Sequence, residues 1–223
     1  MTLLGCFAAP HPPIVVPEVG GPEVENVKAT YTALRTLGRR AAALAPETLV
    51  LLSPHSPLAR HQMGVSLASV FRGSFVYFRA PQVRLEMNGD QDTAQAIMDE
   101  AAAHGIPVTS TASPGEVAEM DHGLMVPLYF LTSELTRPCR LVSLSFSYLS
   151  LEEHVRFGRA VGAALMASPV RTVYVASSDL SHRLCQGAPA GYDPRGAEFD
   201  QAVADAFAGD DWEALLSIEP HLV

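Results

Sequence analysis

Cysteine is scarce and scattered in this 223-residue chain: Cys6, Cys139 and Cys185 lie far apart, are odd in number and never form a CxxC pair. That argues against a disulfide framework and a cysteine-built zinc finger, and it fits a reducing compartment, the cytoplasm. Basic charge is short as well, with 15 Lys and Arg against 24 Asp and Glu and a net charge of −9. Without a basic run or a basic face, nucleic acid is a poor partner. Mean hydropathy is slightly positive at +0.16, yet no apolar run approaches the roughly 20 residues of a bilayer span, so no membrane partner is expected. The apolar N-terminus has no basic segment before it and stops at Pro10-His11-Pro12, so it reads as a strand rather than a secretory signal. Internal repeats, low-complexity tracts and linkers are missing too. What remains is one globular domain over 1–223, with 48% hydrophobic residues to fill a core.

What is present is an alternation of two patterns. The segments 3–9, 48–53, 140–145 and 171–176 are short apolar runs of the kind that make buried strands, and another strand starts at 108. Between them, 23–44 carries helical spacing (Val24, Val27, Tyr31, Leu34, Leu37), and 91–104 is a helix with Gly105 in the C-cap position. Ser150-Leu151-Glu152-Glu153 fits a capping box opening a helix to about 166, and 197–207 and 211–218 are helical. Asp121 can cap a helix beginning near Leu124, with Pro127 in its first turn. The segments 63–70 and 74–78, split by Arg72-Gly73, suggest an antiparallel hairpin. The sum is an α/β fold: a mostly parallel central sheet with helices on both faces and an antiparallel insert. Ligands of such folds collect at the carboxyl ends of the strands.

Two histidines occupy near-identical proline brackets, Pro10-His11-Pro12-Pro13 and Pro54-His55-Ser56-Pro57, each directly after an apolar run. Two imidazoles are thereby delivered at two strand ends on backbone that proline stiffens, which suits a pair of metal ligands. His182 follows a third strand exit, in Ser177-Ser178-Asp179-Leu180-Ser181-His182. His122, in Met120-Asp121-His122-Gly123, stands at a helix N-terminus, where the dipole favours the neutral imidazole. His61, His104, His154 and His221 lie beside charged residues or at element ends and carry no such signal, and Cys185 reads as an inert thiol. Histidines without a neighbouring cysteine suit Fe(II), Mn(II) or Zn(II). A two-histidine, one-carboxylate site also needs an acid, and among Glu18, Asp121, Asp179 and Glu219 no spacing selects one.

Taken in order, Pro10-His11-Pro12-Pro13, Ser53-Pro54-His55, Asp121-His122-Gly123 with Val126-Pro127-Leu128, and Ser177 to His182 cover nearly the whole chain. Together they resemble the LigB-type (class III) extradiol ring-cleavage dioxygenases, more closely the bacterial branch linked to the AmmeMemoRadiSam system and related to the Memo proteins. The resemblance implies a three-layer α/β/α sandwich around a central, mostly parallel mixed sheet. It implies that His11 and His55 bind a non-haem Fe(II), with His122 and His182 as catalytic histidines beside the metal. Its substrates would be a catechol-like ring and O2, with His182 moving protons; the segment 184–196, by its Gly/Pro-rich composition and its place after His182, is expected to act as a lid. In dioxygenase members the third ligand is a glutamate after the last helices. Here it is expected beyond Val223, the domain being truncated at its C-terminus, with Glu219 as a substitute. Some relatives carry a second domain after this one, and related proteins form dimers, so a homodimer fits as well. Two alternatives stay open: a Memo-like metal-binding protein with a redox or interaction role and no ring cleavage, and a zinc-dependent hydrolase, which two histidines, a carboxylate and a water also describe.

Overall fold

The computed structural model describes residues 2–188 and 190–219. From the N-terminus the elements are β1 (Leu3–Ala9), α1 (Pro17–Gly20), α2 (Lys28–Ala43), β2 (Thr48–Ser53), β3 (Met63–Ser66), β4 (Val70–Phe75), β5 (Ala80–Asn88) and α3 (Gln91–Ala103). They continue with β6 (Val108–Ala112), β7 (Val117–Glu119), α4 (His122–Thr132), β8 (Arg140–Ser145), α5 (Leu151–Ala167), β9 (Thr172–Ser177), α6 (Arg195–Gly209) and α7 (Trp212–Leu216). Two compact units divide the chain, Met1–Ser178 and Asp179–Val223.

In the first unit six strands pair in the order β1-β9-β2-β8-β3-β6. Every neighbour is parallel except β3 against β8. β2 lies inside the sheet and is buried at five of its six positions, as a strand covered on both faces requires. Its side chains alternate between two cores. Leu49 and Leu51 join the layer of Leu34, Leu124 and Leu128 from α2 and α4, while Val50 joins that of Ile97, Phe157 and Val161 from α3 and α5. Period-two alternation thus builds a three-layer sandwich from one apolar run. The expected α/β class and the mostly parallel sheet flanked by helices are observed.

Four local expectations need correction. The helix expected over 23–44 starts only at Lys28, because Gly21–Val27 winds as a 3-10 helix and Val27 leaves helical geometry at φ −118° and ψ 24°. The hairpin is not split at Arg72-Gly73, since both residues lie inside β4. Its turn is the 3-10 segment Val76–Phe78, and its second arm is β5, which was not foreseen. Glycine is needed inside β4 because a Cβ at Gly73 would stand 2.5 Å from Met125 Sδ and 2.9 Å from Met120 Cβ. β4 and β5 form a separate three-stranded sheet with β7, in the order β5-β4-β7. Finally, α4 begins at His122, so Pro127 falls in its second turn.

A buried acid fastens the far rim of the main sheet. Asp90 is 1% exposed and caps α3 by accepting from Thr93 N–H at 3.2 Å. It also accepts from Thr48 Oγ1 at 2.5 Å and from Thr93 Oγ1 at 2.9 Å, and pairs with Arg140 Nη2 at 3.1 Å. Thr48 and Arg140 are the paired first residues of β2 and β8, so one carboxylate ties a helix start to two strand starts. The second unit contains α6 and α7, with Phe207 stacked edge-on against Trp212 at 5.6 Å. No helix among the described residues is long and apolar enough to cross a membrane.

Burial pushes the Cys139 thiol up to about 12 and the Tyr174 hydroxyl up to about 12. Both values exceed those of the unfolded chain, so the unfolded state loses these protons first. Their contribution is complete below the unfolded values, about pH 9 for the thiol and 10 for the phenol, and is lost as pH rises toward 12. Thermal unfolding is therefore expected to be insensitive to these groups near neutrality and to weaken above about pH 9. Tyr174→Phe should shift that decline to higher pH in a series of melting curves. An alkaline decline identical in the variant contradicts the assignment.

Candidate metal centre

β1 and β2 run parallel on either side of β9, so all three carboxyl ends open on one rim. Each outer strand is followed by a histidine two residues past its end: Ala9 leads to His11 and Ser53 leads to His55. Pro10 and Pro54 have no N–H to continue a ladder, so pairing stops and the chain turns out over the rim. The third imidazole comes from a helix, since His122 is the first residue of α4. The ligand atoms of His11, His55 and His122 lie within 4.8 Å of one another. Ring centroids are 5.0 Å apart for His11 and His55, 5.4 Å for His11 and His122, and 4.0 Å for His55 and His122. Such a set of imidazole nitrogens fits Fe(II), Zn(II) or a similar first-row cation.

Asp121 holds two of these histidines in place. Its Oδ1 accepts from Leu124 N–H at 3.1 Å, capping α4, and from Ser53 Oγ at 2.7 Å. Its Oδ2 accepts from Ser56 Oγ at 2.8 Å, and Ser53 Oγ itself accepts from His55 N–H at 3.1 Å. Both carboxylate oxygens are thus occupied in clamping the His55 loop onto the start of α4, a positioning task rather than a ligand's. The clamp works because residue 123 is glycine: a Cβ there would collide with Ser53 Oγ and approach His55 Cδ2 to 3.3 Å.

His11 is oriented by a serine that sequence inspection passed over. Ser177, the last residue of β9, lies between the two histidine-bearing strands and is buried. Its Oγ is 2.5 Å from the carbonyl oxygen of Gly123 and 2.9 Å from His11 Nδ1. Two oxygens at that separation need a proton between them, and a carbonyl has none, so Ser177 donates to Gly123. Its oxygen must then accept from His11, which puts the ring proton on Nδ1 and makes Nε2 the acceptor nitrogen. That Nε2 sits 3.1 Å from His55 Nε2. The Gly123 carbonyl is available because its helical partner would be the N–H of residue 127, which is proline. The i−4 offset from Pro127 was the sequence signal for this bond.

A cavity of about 470 Å³ opens beside His55 and His122, walled by Phe75, Tyr77, Phe78 and Met125. The other residues singled out by sequence lie as follows. Glu18 accepts from the Tyr129 hydroxyl at 2.9 Å on the exposed surface. In the second unit, His182 Nε2 is 3.7 Å from Asp179 Oδ2 with its side chain 62% exposed, and Glu219 is exposed. His104 and His154 each bond a backbone carbonyl four residues earlier through Nδ1, at 2.9 Å, and His61 is exposed. His221 and Val223 lie outside the described residues. Burial raises the Cys6 and Cys139 thiols, which weakens both as thiolate ligands.

With this geometry in view, residues 5–223 match the family described as the catalytic LigB subunit of aromatic ring-opening dioxygenase. The chain belongs to the LigB family. Across its whole length it is 32% identical to Protein CA_C1420 of Clostridium acetobutylicum, covering 48% of that protein. Over 81% of its length it is 28% identical to the 2-aminophenol 1,6-dioxygenase beta subunit of a Pseudomonas species, covering 63% of it. The chain thus spans about half of one relative and under two thirds of the other.

Replacing Ser177 by alanine removes the group that keeps the His11 proton on Nδ1. Affinity for Zn(II) or Fe(II), read by competition with a chromophoric chelator, is expected to fall by about 10- to 100-fold, as for other partners that orient metal-binding histidines. Unchanged affinity in a folded Ser177→Ala protein contradicts this role.

Proposed function

We propose that this LigB-family chain is the catalytic domain of a non-haem Fe(II) dioxygenase that opens a catechol-like ring beside its diol with O2. The observation that supports it most is the cluster of three imidazoles, two past strand ends and one at a helix start, of which His55 and His122 line an aromatic-walled cavity. His11 and His55 would hold the iron, with His11 offering Nε2. Iron held there would supply the Lewis-acid and redox chemistry that couples a diol to O2. A cavity of about 470 Å³ walled by Phe75, Tyr77 and Phe78 has room for an aromatic ring beside His55 and His122. The overall reaction breaks one ring C–C bond next to the diol and places both oxygen atoms in the product.

Within this proposal His122 hydrogen-bonds the substrate. Its ring is fixed by the stack on His55 at 4.0 Å and by Phe78 at 5.5 Å. His182 is the proposed general base, taking a proton from one hydroxyl and returning it as the ring opens, for which an imidazole is suited at neutral pH. That role rests on the family resemblance of the segment from Ser177 to His182. The name of the Pseudomonas relative extends the substrate range to be tested to 2-aminophenol, in which an amine replaces one hydroxyl. A cytoplasmic location and a homodimer complete the proposal. Zinc hydrolysis is the second reading. It is favoured by one observation: among the described residues the cluster is made of three nitrogens and no carboxylate, the donor set of some hydrolytic zinc sites.

The test is oxygen consumption by the Fe(II)-loaded chain against a panel of catechols and 2-aminophenols, with ring-opened product followed by absorbance. His11→Ala and His55→Ala should lose iron. His182→Ala should retain iron and lose turnover by about two to four orders of magnitude. Iron retained in both ligand variants sinks the metal assignment. No oxygen uptake with any ring, together with Zn(II)-dependent ester hydrolysis, moves the function to the second reading.

A further inference from the structure

Three aromatic residues crowd the turn between β4 and β5, and the fold treats each differently. Phe75, the last residue of β4, is 1% exposed and belongs to the core. Phe78 is half-buried, with its ring 6.2 Å from Phe75 and 5.5 Å from His122. Tyr77 is 84% exposed, more than any other large apolar or aromatic side chain among the described residues. The backbone enforces this split. The ladder slips between Ser74 and Phe75, so that Ser74 faces Arg84 while Phe75 faces Ala80. An irregularity of this kind bends a strand and re-aims the side chains at its end. The turn then closes through Arg79 at φ 62°, a left-handed conformation that a residue with a Cβ adopts only when its surroundings impose it.

An exposed tyrosine is ordinary on a protein surface; the position of this one is not. Tyr77 lines the cavity beside His55 and His122. No hydrogen bond or ring contact holds its side chain among the described residues. Tyr148, 64% exposed, is held by comparison: its ring meets Phe146 at 6.1 Å, and Arg60 lies over it at 5.8 Å. The rest of the aromatic wall is held as well, Phe78 on His122 and His122 on His55 at 4.0 Å. The cavity therefore has fixed rings and one ring at its edge that can rotate within nanoseconds without breaking a contact.

We propose that Tyr77 is a specificity residue of this site: its ring closes over a planar ligand ring bound beside His55 and His122. A flat ring offers Tyr77 a broad stacked or edge-on contact, whereas a small aliphatic chelator of the same metal offers almost none. Selection is then by aromatic contact, with no part for the Tyr77 hydroxyl. This inference rests on the ring-opening reading in so far as that reading puts an aromatic ring in the cavity.

Calorimetric titrations of the Zn(II)-loaded full chain with 4-nitrocatechol, and with acetohydroxamate as a ring-free bidentate chelator, test it in wild type, Tyr77→Ala, Tyr77→Phe and Tyr148→Ala. Zn(II) holds either ligand without turnover. Affinity for 4-nitrocatechol is expected to fall about three- to tenfold in Tyr77→Ala, the scale of one aromatic contact, and to stay within about twofold of wild type in Tyr77→Phe and Tyr148→Ala. Acetohydroxamate should bind all four proteins alike, which a collapsed turn would not allow. Full 4-nitrocatechol affinity in Tyr77→Ala, or an equal loss for both chelators, overturns the role. A loss in Tyr77→Phe as large as in Tyr77→Ala assigns the contact to the hydroxyl and overturns it too. If wild type binds no 4-nitrocatechol, the ring-opening reading falls, and hydrolysis of 4-nitrophenyl acetate by the same Zn(II) proteins decides for Tyr77. A KM raised about three- to tenfold in Tyr77→Ala sustains the closing ring. A KM indifferent to residue 77, or no hydrolysis, overturns it.

Discussion

The hydroxyl of Ser177 has a single proton, and giving it to the Gly123 carbonyl decides which nitrogen of His11 can bind anything. Were that proton directed to His11 instead, Nδ1 would be the acceptor and Nε2 would carry hydrogen toward His55, closing the site to a cation. The carbonyl is free to receive it because Pro127, in the second turn of α4, cannot make the helical bond. A proline in a helix interior ordinarily costs about 3 kcal/mol. Here α4 is apolar on nearly every side and buried from Gly123 to Leu128 and at Phe130 and Leu131, so packing offsets that loss. One residue unfavourable to its own helix thus sets which nitrogen of a histidine past the end of β1 carries the proton.

This bond could not hold its geometry on a loose frame, and two carboxylates, Asp90 buried and Asp121 half-buried, stiffen the frame from opposite ends of β2. At the start of the strand Asp90 gathers Thr48, Thr93 and Arg140; at its end Asp121 gathers Ser53, Ser56 and the first turn of α4. Between them β2 is an apolar rod packed on both faces. Buried carboxylates are tolerable only when their oxygens are well supplied with donors, and here each supply also fixes an element in place. Asp121 therefore acts on His55 and His122 through position, not through its charge on a metal. The small sheet adds what the main sheet lacks: the aromatic wall of Phe75, Tyr77 and Phe78.

Much of this was legible in the sequence, for identifiable reasons. Short apolar runs ending at proline marked β1 and β2, and the same prolines marked His11 and His55 as strand-end imidazoles. The caps at Asp121 and Ser150 were readable because capping is a local interaction. β5 escaped notice because it is an edge strand whose Arg84 and Glu86 face outward, leaving only Val83, Leu85 and Met87 as an apolar signal. The start of α4 was placed two residues late because Pro127 was assumed to need the first turn; the tertiary bond from Ser177 removes that need. Ser177 is visible in the sequence only as the first residue of the motif ending at His182, since its importance comes from β9 lying between two strands that are distant in the chain. Asp121 was weighed as a ligand because a carboxylate beside a histidine looks alike in sequence whether it binds a cation or a pair of serines.

The orientation of His11 is the point on which the candidate metal centre turns, and it can be observed directly. Two-bond 1H–15N correlation spectra of the metal-free chain labelled at histidine report the tautomer of each ring. The His11 proton is expected on Nδ1, with Nε2 unprotonated, and added Zn(II) should move the Nε2 resonance while Nδ1 keeps its proton. A His11 ring protonated at Nε2, or one in which Zn(II) moves Nδ1 instead, would contradict the account.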